Sequence, residues 1–288
     1  MKRDHLRCDA KEMKSKNLRV LVVGAKSTTA DFLARLLSEH GYTAKRTEKL
    51  KFPNPLVIRK FDIIYGIYLQ SCSRYIPLAK CLGRKTIIHF IGSDAYWYSR
   101  ERSLWRRIYW SIVLRCTDLI FYVSPHLKQL VKSAGDVLPL PIDVEKFKQS
   151  AHSKIVPDRD ILYYCPSGYP NENIYRLDWI LEYANAHPEQ KITIIGNRTN
   201  PAHYQISRPN VLVIPFVHQN EMKTLYQRHK RLIRMTTEDG MPEMLHQAIL
   251  AGIEVIFNGE IIKEFPRERL PDHFVESFTK AIGRIIKS

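Results

Sequence analysis

The densest chemistry in the sequence lies between Arg231 and Gly252. An apolar run ends in Arg234-Met235, the acidic Gly/Pro segment Thr236-Thr237-Glu238-Asp239-Gly240-Met241-Pro242 follows, and a helical pattern opens at Glu243 and closes at Gly252. A loop of this kind turns backbone N–H groups and the positive end of a helix toward whatever binds there, which suits a phosphate. Asp239 and Gln247 are eight residues apart, so one can sit in the loop and the other on the helix, at opposite ends of a single bound molecule. Pattern alone fits an ordinary strand–turn–helix with a capping acid and a terminal glycine equally well.

Three other stretches carry chemistry-capable residues. Gly24-Ala25-Lys26-Ser27-Thr28 follows an apolar strand but lacks the spacing of a phosphate loop and of a dinucleotide fingerprint. It reads as a tight turn whose Lys26 and Ser27 could still hold an anionic or hydroxylated ligand at a helix start. His89-Phe90-Ile91-Gly92-Ser93-Asp94 puts a histidine at the end of a strand beside a glycine, and Asp94 can cap the next helix. From Trp97 to Arg115 the chain packs three of its four tryptophans among five arginines. Helical spacing there groups Leu104, Trp105, Ile108, Tyr109 and Ile112 on one face, with Arg106 and Arg107 flanking Trp110 on the other. Such a surface suits a lipid headgroup region, or else packs on the domain with solvated arginines.

These residues need a scaffold, and the apolar pattern supplies one twice. Strands are expected at 18–23, 63–68, 86–91 and 119–123, and again at 160–165, 192–195, 211–214, 232–235 and 254–257. Helical patterns fall at 29–39, 176–186, 221–228 and 243–251. Such alternation predicts two α/β domains with parallel sheets, and ligands in such sheets sit at the carboxyl ends of the strands. The proline-rich segment 138–157 reads as the linker. The expected division is a basic extension at 1–17, a first domain at 18–148 and a second at 149–288.

Composition narrows the function classes. The 288 residues are 44% hydrophobic and 26% charged, so the chain is globular, and no apolar run is long enough to span a bilayer. Residues 1–17 lack the apolar core of a secretory signal. The five cysteines are scattered without metal-ligand spacing, which points to a reducing cytoplasm and to no metal site. Net charge is +16, and residues 1–150 carry +15 of it. The first half therefore attracts an anion, whether nucleic acid, membrane surface or phosphorylated substrate. No helix-turn-helix, zinc-finger or RRM pattern is present, so nucleic acid is not an expected partner.

At these residues the sequence resembles the family-4 glycosyltransferases of GT-B fold, especially their short archaeal-type members, over nearly all of the chain from Leu18. Asp239 and Gln247 match the two acid positions of a donor motif similar to DGLPNVILEAMAAG, HFIGSD at 89–94 is similar to the histidine-bearing acceptor loop, and PLPIDVEKF at 139–147 is similar to a segment that reads NGVDxxxF. The resemblance implies two Rossmann-like α/β/α domains facing a central cleft, and a retaining transfer from a nucleotide-diphospho-sugar to a lipid-linked or membrane-associated glycan, with no cofactor or required metal.

It assigns His89, Asp239 and Arg234 to catalysis, and Glu238, Gly240, Met241, Gln247, Arg176 and Arg198 to the donor. Asp94 falls with the acceptor loop, the turn after the first strand adds Gly24, Lys26 and Ser27 to the acceptor, and composition, not the resemblance, gives Trp105, Arg106, Arg107 and Trp110 to an anionic membrane surface at the cytoplasmic face. The sequence departs from the pattern in two places. Gln247 replaces a glutamate, and the basic pair expected near 165–169 is missing, with Arg234 the first candidate to replace it. These departures leave a non-catalytic GT-B protein, binding a partner transferase or a glycan, as the alternative.

Overall fold

The computed structural model of the chain describes residues 18–24, 28–48, 53–148, 155–166, 171–196, 208–237 and 242–287. They form two compact units. One contains the described residues up to Pro141 together with those from Glu268 onward, and the other runs Ile142–Arg267.

Each unit is built on a six-stranded sheet. The first holds β1 (Arg19–Gly24), β2 (Thr43–Glu48), β3 (Ile63–Ile67), β4 (Lys85–Phe90), β5 (Leu119–Tyr122) and β6 (Asp136–Val137), in the order β2-β1-β3-β4-β5-β6 with every pair parallel. The second holds β7 (Arg159–Tyr164), β8 (Ile192–Ile195), β9 (Val211–Ile214), β10 (His229–Arg234), β11 (Glu254–Phe257) and β12 (Glu260–Ile262). Its order is β12-β11-β10-β7-β8-β9, parallel except for β12. Described helices of eight residues or more are α1 (Thr28–Glu39), α2 (Ser93–Arg100), α3 (Leu104–Arg115), α4 (Leu177–Ala186), α5 (Glu243–Leu250) and α6 (Pro271–Lys287).

The central strands are apolar because both faces of a parallel sheet are covered by helices, and β3 and β8 are buried along their whole length. Strand β2, with the sequence TAKRTE, has no such run. It lies at a sheet edge with Lys45 exposed and Arg46 paired to Asp31 at 2.7 Å, so its strand character comes from pairing with β1 rather than from its own pattern. The short β6 and β12 escape an apolar-run reading in the same way.

Two expected boundaries move. The segment from Ile142 is not linker, because Ile142 and Phe147 are buried in the second unit's core and Asp143 caps the short helix Val144–Phe147. Residues from Glu268 onward leave the second domain to which the sequence reading gave them. Helix α6 buries Phe274, Val275, Phe278, Ala281, Ile282 and Ile285 against β1, β3 and α1 of the first unit. There the Phe278 ring lies 5.3 Å from Tyr65, and Thr279 bonds Tyr42 at 2.8 Å. No helix among the described residues is long and apolar enough to cross a membrane.

Candidate functional site

In the second sheet the chain runs outward through β7, β8 and β9, then returns so that β10 pairs with the other side of β7. The strand ends diverge at such a switch point, and a crevice opens at their carboxyl ends. A cavity of about 620 Å³ lies there. Tyr164 ends β7, Ile195 ends β8 with Gly196 just after it, Pro215–Val217 follow β9, Arg234 ends β10, and Pro242, Glu243, Met244 and Gln247 come from the start of α5.

Arg234 is the electrostatic centre of the cavity. Only 3% of it is exposed, yet it borders open space. Its guanidinium carbon lies 4.8 Å from the Tyr164 ring centroid and 4.6 Å from that of Tyr175, and Nη1 donates to Met244 Sδ at 3.0 Å. A planar, weakly hydrated guanidinium stacks on aromatic faces where an ammonium would be stranded, so this slot holds a cation at low dielectric. An anion entering the cavity meets that cation near the N-terminal end of α5.

Helix α5 contributes a chain of polar groups. The buried Tyr226 hydroxyl donates to Gln247 Oε1 at 3.2 Å, and Gln247 Nε2 donates to Glu243 Oε1 at 2.7 Å. Burial drives the Tyr226 phenol well above its ordinary range, and the nearby Glu243 charge pushes the same way, so Tyr226 remains a donor. On the β9 side, half-exposed Phe216 sits 4.7 Å from His218 and offers a flat apolar wall.

The end of β10 is anchored by a residue that sequence reading passed over. Asn258 and Gly259 both take positive φ, at 49° and 89°, and Phe257 pairs with Glu260 across them, which makes a two-residue hairpin turn. From that turn Asn258 Oδ1 accepts from the Thr236 backbone at 2.8 Å and its own N–H donates to the Arg234 carbonyl at 3.0 Å. The Asn-Gly dipeptide was a legible turn signal, whereas its grip on β10 was not. Tyr164, Tyr175, Tyr226 and Glu243 were likewise missed, since each reads as routine strand, loop or helix-start sequence.

The other expected donor residues are distributed unevenly. Gln247 and Arg234 line the cavity. Arg176 does not, and its half-exposed side chain pairs with Asp178 at 3.5 Å. Glu238, Asp239, Gly240, Met241 and Arg198 lie outside the described residues, as do Lys26 and Ser27 of the first unit.

In the first unit the structure corrects two assignments. His89 is fully buried, with the Tyr65 hydroxyl at 2.6 Å from Nδ1 and the Leu138 carbonyl at 2.8 Å from Nε2. Burial pushes its imidazole down to about 3, so it is a neutral brace whose Nδ1 accepts from the Tyr65 hydroxyl and whose Nε2–H donates to the Leu138 carbonyl, with no ring nitrogen left for a sugar. Asp94 is equally enclosed. Its oxygens accept from the backbone of Leu69, Ile91 and Gly92 at 3.0–3.1 Å, which ties the loops after β3 and β4 together and takes it away from any acceptor. Gly24 ends β1, where a Cβ would meet Ala30 at 3.2 Å, so its smallness serves close strand–helix packing.

Helix α3 is rotated from the expected orientation. Tyr109, Trp110, Val113 and Leu114 pack inward because the core contact runs through Val113, so Trp110 is not on the outer face. Leu104, Trp105, Ile108 and Ile112 are the exposed stripe, with Trp105 80% accessible and Arg106 and Arg107 beside it.

No family model matches the chain, and no curated protein matches it in sequence. Solved structures do share its fold. An α-glucosyltransferase in complex with UDP and a 13-mer DNA containing an HMU base aligns with a TM-score of 0.60 at 8% identity, over 93% of this chain and 90% of that one. Sucrose-phosphate synthase from Thermosynechococcus elongatus aligns at 0.58 and 11% identity over 95% and 90%. HepE from Anabaena in complex with UDP and glucose aligns at 0.61 and 12% identity over 84% and 80%. At these identities the likeness is one of architecture: the chain has the GT-B fold, two Rossmann-like α/β domains in sequence.

Proposed function

We propose that the chain is a family-4-type glycosyltransferase that moves a sugar from a nucleotide-diphospho-sugar, with retention at the anomeric carbon, to a lipid-linked or membrane-associated glycan at the cytoplasmic membrane face. The observation that carries this reading is Arg234, a cation held against two tyrosine rings at the switch-point cavity of the second sheet. A fixed guanidinium beside helix amides suits a diphosphate. When the bond from the anomeric carbon to the diphosphate breaks, the electron pair moves onto the phosphate oxygen, and charges already in place stabilise it without reorganising. In this reading Arg234 and the α5 end carry that charge, which is consistent with a transfer that requires no metal. Ile195, Pro215, Phe216 and Val217 give the cavity an apolar wall suited to a nucleobase. The UDP bound in the α-glucosyltransferase and HepE structures supports the same donor class.

The membrane part rests on α3. An exposed Leu104, Trp105, Ile108 and Ile112 stripe flanked by arginines gains from burial among lipid chains and anionic headgroups. DNA, which accompanies the α-glucosyltransferase, offers little to exposed leucine and isoleucine.

The test is a thermal-shift screen against UDP, GDP and their sugar conjugates, followed by a donor-hydrolysis assay. A ligand at about 100 times its Kd stabilises the protein by roughly 2.7 kcal/mol. A shift with one nucleotide, lost in Arg234→Ala, is expected. Cooperative unfolding with no shift for any nucleotide would reject the reading in favour of a non-catalytic GT-B protein. Co-sedimentation with anionic vesicles, abolished by Trp105→Ser with Arg106/Arg107→Glu, tests the membrane part separately.

A further inference from the structure

Gln247 brings no charge to the cavity, but its amide does what a carboxylate could not. It accepts from the Tyr226 hydroxyl at 3.2 Å and donates to Glu243 Oε1 at 2.7 Å, so both ends of one side chain are used. Tyr226 needs an acceptor and Glu243 needs a donor, and the glutamine satisfies the two together. A glutamate at 247 would set a second negative charge within hydrogen-bond distance of Glu243. Gln247 is only 6% exposed, whereas Glu243 is half-buried at the first turn of α5, where the helix dipole favours an acid. Both line the cavity that holds Arg234.

We infer that Glu243 is the acid of this site and accepts hydroxyl groups of the ligand, a ribose diol or a sugar, while Gln247, itself held by Tyr226, is a positioning residue that fixes the Glu243 rotamer. The inference rests on the donor-site reading. It also means that the amide at 247 does not deprive the cavity of a carboxylate: the charge sits one helical turn earlier.

Calorimetry on the full chain tests it with UDP, 2′-deoxy-UDP and UDP-glucose. Wild type is expected to prefer UDP over 2′-deoxy-UDP by about tenfold, the factor set by one hydrogen bond to a charged group. In the isosteric Glu243→Gln that preference falls toward one if the ribose supplies the hydroxyls. If the hexose does, the gain of UDP-glucose over UDP falls instead. Either loss supports the inference. Gln247→Glu is expected to bind UDP more weakly at pH 7.5 and to recover as the pH falls toward 5, because one of two facing carboxylates then carries a proton, a response that a merely structural role would not produce. Tighter UDP binding by Gln247→Glu, or full hydroxyl discrimination in Glu243→Gln, would overturn the inference while leaving the donor site standing. A wild-type protein that binds no nucleotide would overturn both.

Discussion

The two units repeat one design, a sheet of parallel strands, edged in the second unit by the antiparallel β12, with a single switch point, and differ in what they do with buried polar side chains. In the first, His89 and Asp94 are enclosed with partners taken from the surrounding fold: Tyr65 and Leu138 for one, three backbone amides for the other. In the second, Arg234 and Gln247 are buried almost as deeply, yet they border a cavity. A strongly shifted titratable group is therefore no guide to a site in this molecule, since His89 and Asp94 are both shifted and both are braces. The charge distribution misleads in the same way. The first half carries nearly all the net charge, while the cavity sits in the second, where a single well-placed arginine matters more than a surplus of solvated ones.

If that contrast is right, substitutions in the first unit change stability and those in the second change binding. Phe278→Ala should have the largest effect, about 4 kcal/mol lost in urea unfolding, because it empties a ring site against Tyr65 and Phe121. UDP affinity at a temperature where the variant is folded should not change. His89→Leu should cost about 3 kcal/mol by stranding the Tyr65 hydroxyl and the Leu138 carbonyl, again with donor hydrolysis intact. Lost turnover in a folded His89→Leu would return that residue to catalysis.

The third prediction concerns pH. Burial raises Asp94 to about 6, so its stabilising contribution is full below its ordinary value of 3.8 and is lost as pH rises through about 6. Burial lowers His89 to about 3, so its contribution is present above 6.5 and is lost as pH falls through about 3. Between pH 4 and 6 the two oppose each other at about 1.4 kcal/mol per pH unit each. Asp94→Asn should expose the His89 slope, a fall of about 3 kcal/mol from pH 6 to 4 relative to wild type in urea melts. Parallel profiles would show that the pair does not titrate as described. Next in size, Arg234→Met should weaken UDP binding about 100-fold, equivalent to about 2.7 kcal/mol, while Arg234→Lys recovers little because the ammonium cannot stack. Smallest of all, Trp105→Ser should change stability by less than about 0.5 kcal/mol, since the ring is exposed.

Much of the fold was legible because parallel strands write themselves as short apolar runs: β8, β9 and β11 fall where the sequence puts them. What was illegible depended on partners distant in sequence. An amphipathic pattern such as that of α6 states that a helix has an apolar face, and nothing local says that the face belongs to β1 and β3 more than two hundred residues earlier. The site divides likewise. Arg234 stood out as a charge closing an apolar strand, and the α5 start stood out as a loop-to-helix signal. The aromatic slot of Tyr164 and Tyr175, and the relay from Tyr226 through Gln247 to Glu243, join four separate segments and have no local signature. His89 misled because a histidine at a strand end looks the same from the sequence whether it points into a core or out of it.

The return of α6 to the first unit bears on the order of biosynthesis. Every residue of the second unit, Ile142–Arg267, is translated before Phe274 and Phe278 exist, so the first unit's core stays open at Tyr65 and Phe121 for on the order of ten seconds of translation. The half of the chain made first is thus the half finished last. A released chain truncated after Arg267 is expected to present a protease-resistant second unit beside a first unit that is still cleavable, the reverse of the usual N-terminal-first order.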